Sequence, residues 1–130
     1  MSRPRGELAA VFAGGAIGTL LRLGLLETEG PDAGAWPWAT FAANLAGALA
    51  LGIVATALAG RGERHDRMLA FAGTGICGAL TTFSTVQLEL LEMLDRGELG
   101  VAAGYATASI VLGLVLVNVG TRLVRARWPA

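Results

Sequence analysis

Among the polar side chains that interrupt the apolar stretches of this 130-residue chain, three groups stand out by their spacing. Residues 73–89 read GTGICGALTTFSTVQLE, with Gly73, Gly75 and Gly78 ahead of the hydroxyl run Thr81, Thr82, Ser84 and Thr85, and Glu89 beyond. Thr40 and Asn44 are four residues apart, as are Tyr105 and Ser109, so each pair shares one helical face. Glycines weaken helix and clustered hydroxyls compete for backbone hydrogen bonds, so residues 73–89 predict a helix broken in the middle of an apolar segment. At membrane depth such backbone survives only where protein buries it or where it lines a pathway, and broken helices are a recurrent way of placing ion sites. Bond-making chemistry is not indicated. The hydroxyls around Thr81 have no histidine or lysine near them in sequence, so nucleophile, base and orienting group do not occur together and no enzyme is expected. The single cysteine, Cys77, excludes an internal disulfide or a multi-cysteine metal site and reads as a small buried residue.

The elements that must carry these groups follow from composition. With 54% hydrophobic residues, 15% charged residues and a mean hydropathy of +0.59, the chain reads as an all-α integral membrane protein. Four spans are expected, at about residues 8–26, 36–59, 68–94 and 99–119, the third broken near 76–82, in one domain covering 1–130. The charged N-terminus followed by a long apolar run predicts no cleaved signal segment. In the first span, Gly14, Gly15 and Gly18 suit close helix packing, and Arg22 lies near the end, where its stem can reach the interface. The short acidic loop after it contains Pro31 and Asp32; Trp36 and Trp38, and Trp128 in the tail, read as interfacial anchors. An amide in hydrocarbon needs a partner, so Asn44 faces either a pore or another helix to which it hydrogen-bonds. Phe83, Val86 and Glu89 form a stripe whose residues alone suggest packing ending in an interfacial charge. His65, in the charged turn, reads as solvated.

Four spans put the N-terminus, the turn at residues 60–67 and the C-terminus on one side of the membrane. That side carries Arg3, Arg5, Arg61, Arg64, Arg67, Arg122, Arg125 and Arg127 against Glu7, Glu63 and Asp66. Opposite lie only Arg22 and Arg96, with Glu27, Glu29, Asp32, Glu89, Glu92, Asp95 and Glu98. The zero net charge thus hides a strong polarity, and the arginine bias predicts both termini cytoplasmic, in a multi-pass protein of the inner (plasma) membrane.

Together with GGAIGTLLR at residues 14–22 and TFAANLAG at 40–47, the stretch GTGICGALTTFSTVQLE resembles the Fluc (CrcB-type) family of fluoride channels, over all four spans. The resemblance implies an antiparallel, dual-topology-like dimer of four-helix subunits with two narrow fluoride pores, passing fluoride out of the cell passively. It implies a structural sodium ion at the dimer interface, bound by the backbone carbonyls of Gly78 and Thr81 from each subunit. It also places Asn44 and Phe83 in the pore, an amide N–H and an aromatic ring edge being able to meet a small anion without trapping it. Thr40, Tyr105, Ser109 and Glu89 match polar positions along or beside that pathway.

The chain departs from the family pattern at Val86, where the second pore phenylalanine would fall. An inverted homodimer also favours balanced basic loops, whereas eight arginines face two here. Both departures suggest one half of a heterodimeric channel paired with a related, oppositely oriented chain, the homodimer being the simpler expectation. The alternatives are a non-conducting assembly subunit and a small four-helix proton-coupled exporter. The exporter would need a carboxylate within the membrane, and the first, second and fourth spans have none.

Overall fold

The computed structural model describes residues 3–29 and 36–127, so the expectations for Pro31, Asp32 and Trp128 lie outside the described residues. The fold is all-helical. Helix α1 is Arg3–Leu26 and α2 is Trp38–Leu58. Helix α3 covers residues 63–80, made of Glu63–Leu69, a π-helical stretch Ala70–Cys77 and a last turn Gly78–Leu80. Helices α4 (Phe83–Asp95) and α5 (Leu99–Arg127) complete the chain. Helices α3 and α4 together form one span, giving four segments long and apolar enough to cross a membrane. The last helix has 29 residues, more than the roughly 20 that span the hydrocarbon, so it carries Arg122, Arg125 and Arg127 past the apolar layer.

The break in the third span is narrower than its glycines suggest. Gly78 is helical, and only Thr81 (ψ 151°) and Thr82 (φ −147°, ψ 121°) are extended. Helix α4 then restarts on Thr82, whose Oγ1 accepts from the Thr85 amide at 3.2 Å, an N-cap of the usual kind. Gly73 and Gly75 do not break the chain. They sit in the π-helical stretch and let α1 approach: a Cβ on Gly75 would lie 2.9 Å from both Gly14 Cα and Val11 O, and one on Gly14 would overlap the Phe71 carbonyl. The close packing expected of Gly14 and Gly18 is therefore made against α3.

The break also changes partners. Helix α1 runs along α3 as far as residues 78–80, whereas α4 packs against α5. The turn between α4 and α5 is closed by Gly97 (φ +75°), with Gly97 N bonded to Leu94 O and Glu98 N to Met93 O, both at 2.9 Å. That is a Schellman ending, which glycine enters without strain. Helices α2 and α5 pack along each other, Gly52 abutting the Val117 carbonyl and Gly120 the backbone of α2 at Leu49 and Ile53. A hydrogen bond of 3.2 Å joins Thr56 to Thr121 across the same pair. Only 11% of the apolar window of α1, and of α5, is buried inside the chain, so most of their surface is left for lipid or another subunit.

These contacts set a sharp contrast between adjacent glycines. Gly14→Ala should lower stability by about 1–3 kcal/mol, as overpacking a tight contact does. Gly15→Ala meets nothing within 4 Å and should be neutral or stabilising. Thermal unfolding in detergent checks both, and equal melting temperatures for the two variants would refute the α1–α3 contact.

Candidate functional site

The stripe Thr40, Asn44 and Gly47 on α2 faces the third span, and each member meets a different part of it. At Gly47 the missing side chain admits the methyl of Thr81, which a Cβ there would strike. At Asn44 the side-chain amide is used at both ends on one residue: Oδ1 accepts from Thr82 N at 2.7 Å, and Nδ2 donates to Thr82 O at 3.2 Å. Of the two readings of Asn44, the helix-to-helix bond is therefore present. It does not exhaust the group, because an amide nitrogen carries two hydrogens and only one is engaged.

Asn44 also lines an open groove of about 340 Å³, together with Thr82, Phe83, Val86, Ser109 and Ile110. Its walls are mainly carbon, with a few polar atoms. Ser109 Oγ is buried and has no hydrogen-bond partner among the described residues. Phe83 is 76% exposed, so it turns away from the chain's own core, contrary to the packing role its stripe suggests. Val86, one turn on, is buried in a cluster with Met93, Ala102 and Tyr105 and offers the groove only methyl groups.

The other three predicted polar residues form a separate unit. Thr40 Oγ1 donates to Glu89 Oε1 at 2.5 Å, and Tyr105 OH donates to Glu89 Oε2 at 2.6 Å. Thr40 and Tyr105 are 1% and 0% exposed, so this carboxylate is gripped by two buried donors, where the residues alone suggest a free interfacial charge. One edge-on contact from Trp36 and one tilted contact from Phe41, centroids 5.4 and 6.1 Å away, fix the Tyr105 ring. The six predicted residues are thus divided: Asn44, Phe83 and Ser109 on the groove, Thr40, Glu89 and Tyr105 in a bonded triad at one end of the bundle.

The break leaves the carbonyls of residues 78–81 without their helical donors, those of Gly78 and Thr81 among them. In a continuous helix Thr82 N would bond Gly78 O and Thr85 N would bond Thr81 O. Here those amides go to Asn44 Oδ1 and to Thr82 Oγ1. Gly78 and Thr81 also line a second open groove of about 530 Å³, with Gly47, Thr74 and Cys77. Freed carbonyl oxygens suit a hard cation, and no group of three or more His, Cys, Asp or Glu side chains able to hold a metal occurs among the described residues.

One residue escaped the sequence reading. Glu29 Oε1 accepts from Ala39 N at 2.6 Å, capping α2 from ten residues upstream. The sign was available: α2 opens on Trp36, Pro37 and Trp38, none of which has a side-chain oxygen to cap it, so an acceptor had to come from elsewhere.

Comparison with known proteins adds to this geometry. Residues 9–121 match the family described as CrcB-like protein, Camphor Resistance (CrcB). The Fluoride-specific ion channel FluC 1 of Mycobacterium bovis is 48% identical over 119 residues, 92% of this chain and 90% of the relative. The Fluoride-specific ion channel FluC of Paracoccus denitrificans is 39% identical over 110 residues, 85% and 87% of the two chains. The Fluoride-specific ion channel FluC 2 of Nocardia farcinica is 38% identical over 122 residues, 93% and 85%.

Since Asn44 closes the break with both ends of its amide, Asn44→Asp should keep the bond from Thr82 N and set an oxygen against Thr82 O. Leaving that carbonyl unpaired should cost about 1–3 kcal/mol. Thermal unfolding in detergent measures it, and a wild-type melting temperature would show that the amide does not hold the break.

Proposed function

The chain belongs to the CrcB-like family and is a subunit of a fluoride channel rather than an enzyme, and from that premise we propose that fluoride leaves the cell passively along the groove at Asn44, Phe83 and Ser109. The observation that carries this assignment is the meeting, in one apolar groove beside the helix break, of an amide with an uncommitted N–H, an outward aromatic ring and a buried hydroxyl without a partner. Fluoride is small and strongly hydrated. An N–H and an O–H can replace part of its water, and the positive edge of a phenyl ring adds attraction without a full charge that would hold the ion. Protonated HF enters from an acidic exterior, dissociates in the more alkaline cytoplasm, and the trapped anion runs down its own gradient. Thr40, Glu89 and Tyr105 flank the mouth of this path.

The groove is open on one side and Phe83 is exposed, which supports a second subunit as the missing wall. That subunit lies antiparallel, with a structural sodium ion between the two held by the carbonyls of Gly78 and Thr81. The carbonyls freed by the break, and the open surface beside them, support that site. The ion supplies fixed positive charge at the interface. Two features favour a related, oppositely oriented partner over a second copy of this chain. Val86 has no ring edge to give the groove, and the arginines at residues 3–5, 61–67 and 122–127 anchor one orientation, with both termini in the cytoplasm and the bundle in the inner membrane.

Liposomes holding this chain with a family member of opposite arginine bias are expected to release fluoride, and Phe83→Ile should abolish the flux that depends on this chain. Rapid release by the chain alone would overturn the need for a different partner; none from either preparation would overturn conduction. Separately, epitope tags on the two termini, read in intact cells, should both report the cytoplasmic side. A population facing both ways would sink the fixed orientation.

A further inference from the structure

Helix α2 starts without a cap of its own. Its N-cap is Pro37, which has no side-chain acceptor, and Ala39, in the first turn, is 5% exposed, so its amide depends on an acceptor from the protein. Glu29 takes that amide at 2.6 Å. The next residue, Thr40, is the donor that holds Glu89 Oε1, while Tyr105 holds Oε2. Two carboxylates from distant parts of the chain therefore hang on adjacent residues of one helical turn.

We propose that Glu29, which lies outside the groove, is a positioning residue for the mouth of the pathway: by capping α2 it fixes the turn from which Thr40 holds Glu89 away from the passing anion. This rests on the fluoride-channel reading above. A carboxylate at a helix N-terminus is favoured by the backbone dipole as well as by the bond it accepts. Without it the Ala39 N–H is buried and unpaired, and the first turn frays. Thr40 belongs to that turn, so fraying takes one of the two donors from Glu89. A carboxylate held at both oxygens is fixed and its charge is spread into the donors; one held at a single oxygen can swing into the mouth and repel fluoride. The action of Glu29 is thus indirect, through Thr40, and needs an acceptor of the right length more than it needs a charge.

The test combines amide exchange with flux. Glu29→Ala should speed hydrogen exchange at Ala39 and Thr40 about five-fold, the factor expected for losing a cap of ordinary strength. Glu29→Gln, which keeps the acceptor, should exchange as the wild type does. In the conducting liposomes, Glu29→Ala should lower fluoride flux, Glu29→Gln should restore it, and Glu29→Ala should add nothing to Thr40→Val, because both variants release the same carboxylate. Additive losses, or a Gln variant as poor as Ala, would overturn the proposal. If the wild-type preparation conducts no fluoride, the channel reading fails, and the exchange rates decide the cap by themselves: unchanged rates in Glu29→Ala would refute it.

Discussion

A polypeptide that stops being helical inside a membrane must find partners for the backbone groups it sets free, and in this fold one side chain supplies them. Asn44 presents an acceptor and a donor to the amide and the carbonyl of Thr82, much as a neighbouring strand would. Thr82 answers by using its own hydroxyl to cap the helix that follows. Between them, three polar groups carry the chain through two extended residues, and the third span can change direction without leaving the amide of Thr82 orphaned.

The rest of the bundle is arranged around that crossing. Reading down α2, Thr40 meets Glu89, Asn44 meets Thr82 and Gly47 meets Thr81, so a single stripe of one helix touches the third span in antiparallel order. The three types differ because the demands differ: a donor for a carboxylate, a two-ended amide for bare backbone, and no side chain where a threonine methyl must fit. Before the break, the glycines of α3 bring its backbone against α1. After it, α4 is released toward α5, where Val86 and Met93 pack beside Tyr105. The same two residues of irregular chain that need Asn44 thus allow the second half of the span to wall a groove that a straight helix would not form.

Much of this was legible in the sequence because it depends on local composition. The four spans, the arginine asymmetry and a broken third helix all follow from residue types within a window of a few turns. What failed to appear depends on pairs far apart. The glycines at 73, 75 and 78 look like helix breakers, yet they are helical or π-helical, and at Gly75 the absence of a side chain serves contact with a helix about sixty residues earlier. Glu89 looks like a charge at the water interface until Thr40 and Tyr105, from two other helices, are brought to it. The capping of α2 by Glu29 crosses a loop and has no periodicity to betray it; only the uncapped sequence Trp36-Pro37-Trp38 pointed to a missing acceptor.

The site that results is open to its surroundings. Polar groups that can strip water from an anion are useful only if water is also kept out, and the groove at Asn44 is open along one side with Phe83 turned outward. Lipid could cover the phenyl ring but has nothing to offer the N–H of Asn44 or the buried hydroxyl of Ser109, each of which carries a cost in hydrocarbon unless a polar partner meets it. The carbonyls of Gly78 and Thr81 carry the same cost on the second groove. The chain thus leaves two separate sets of incompletely satisfied polar atoms beside the break, one on each groove, and burying either at membrane depth requires groups that the chain does not itself supply.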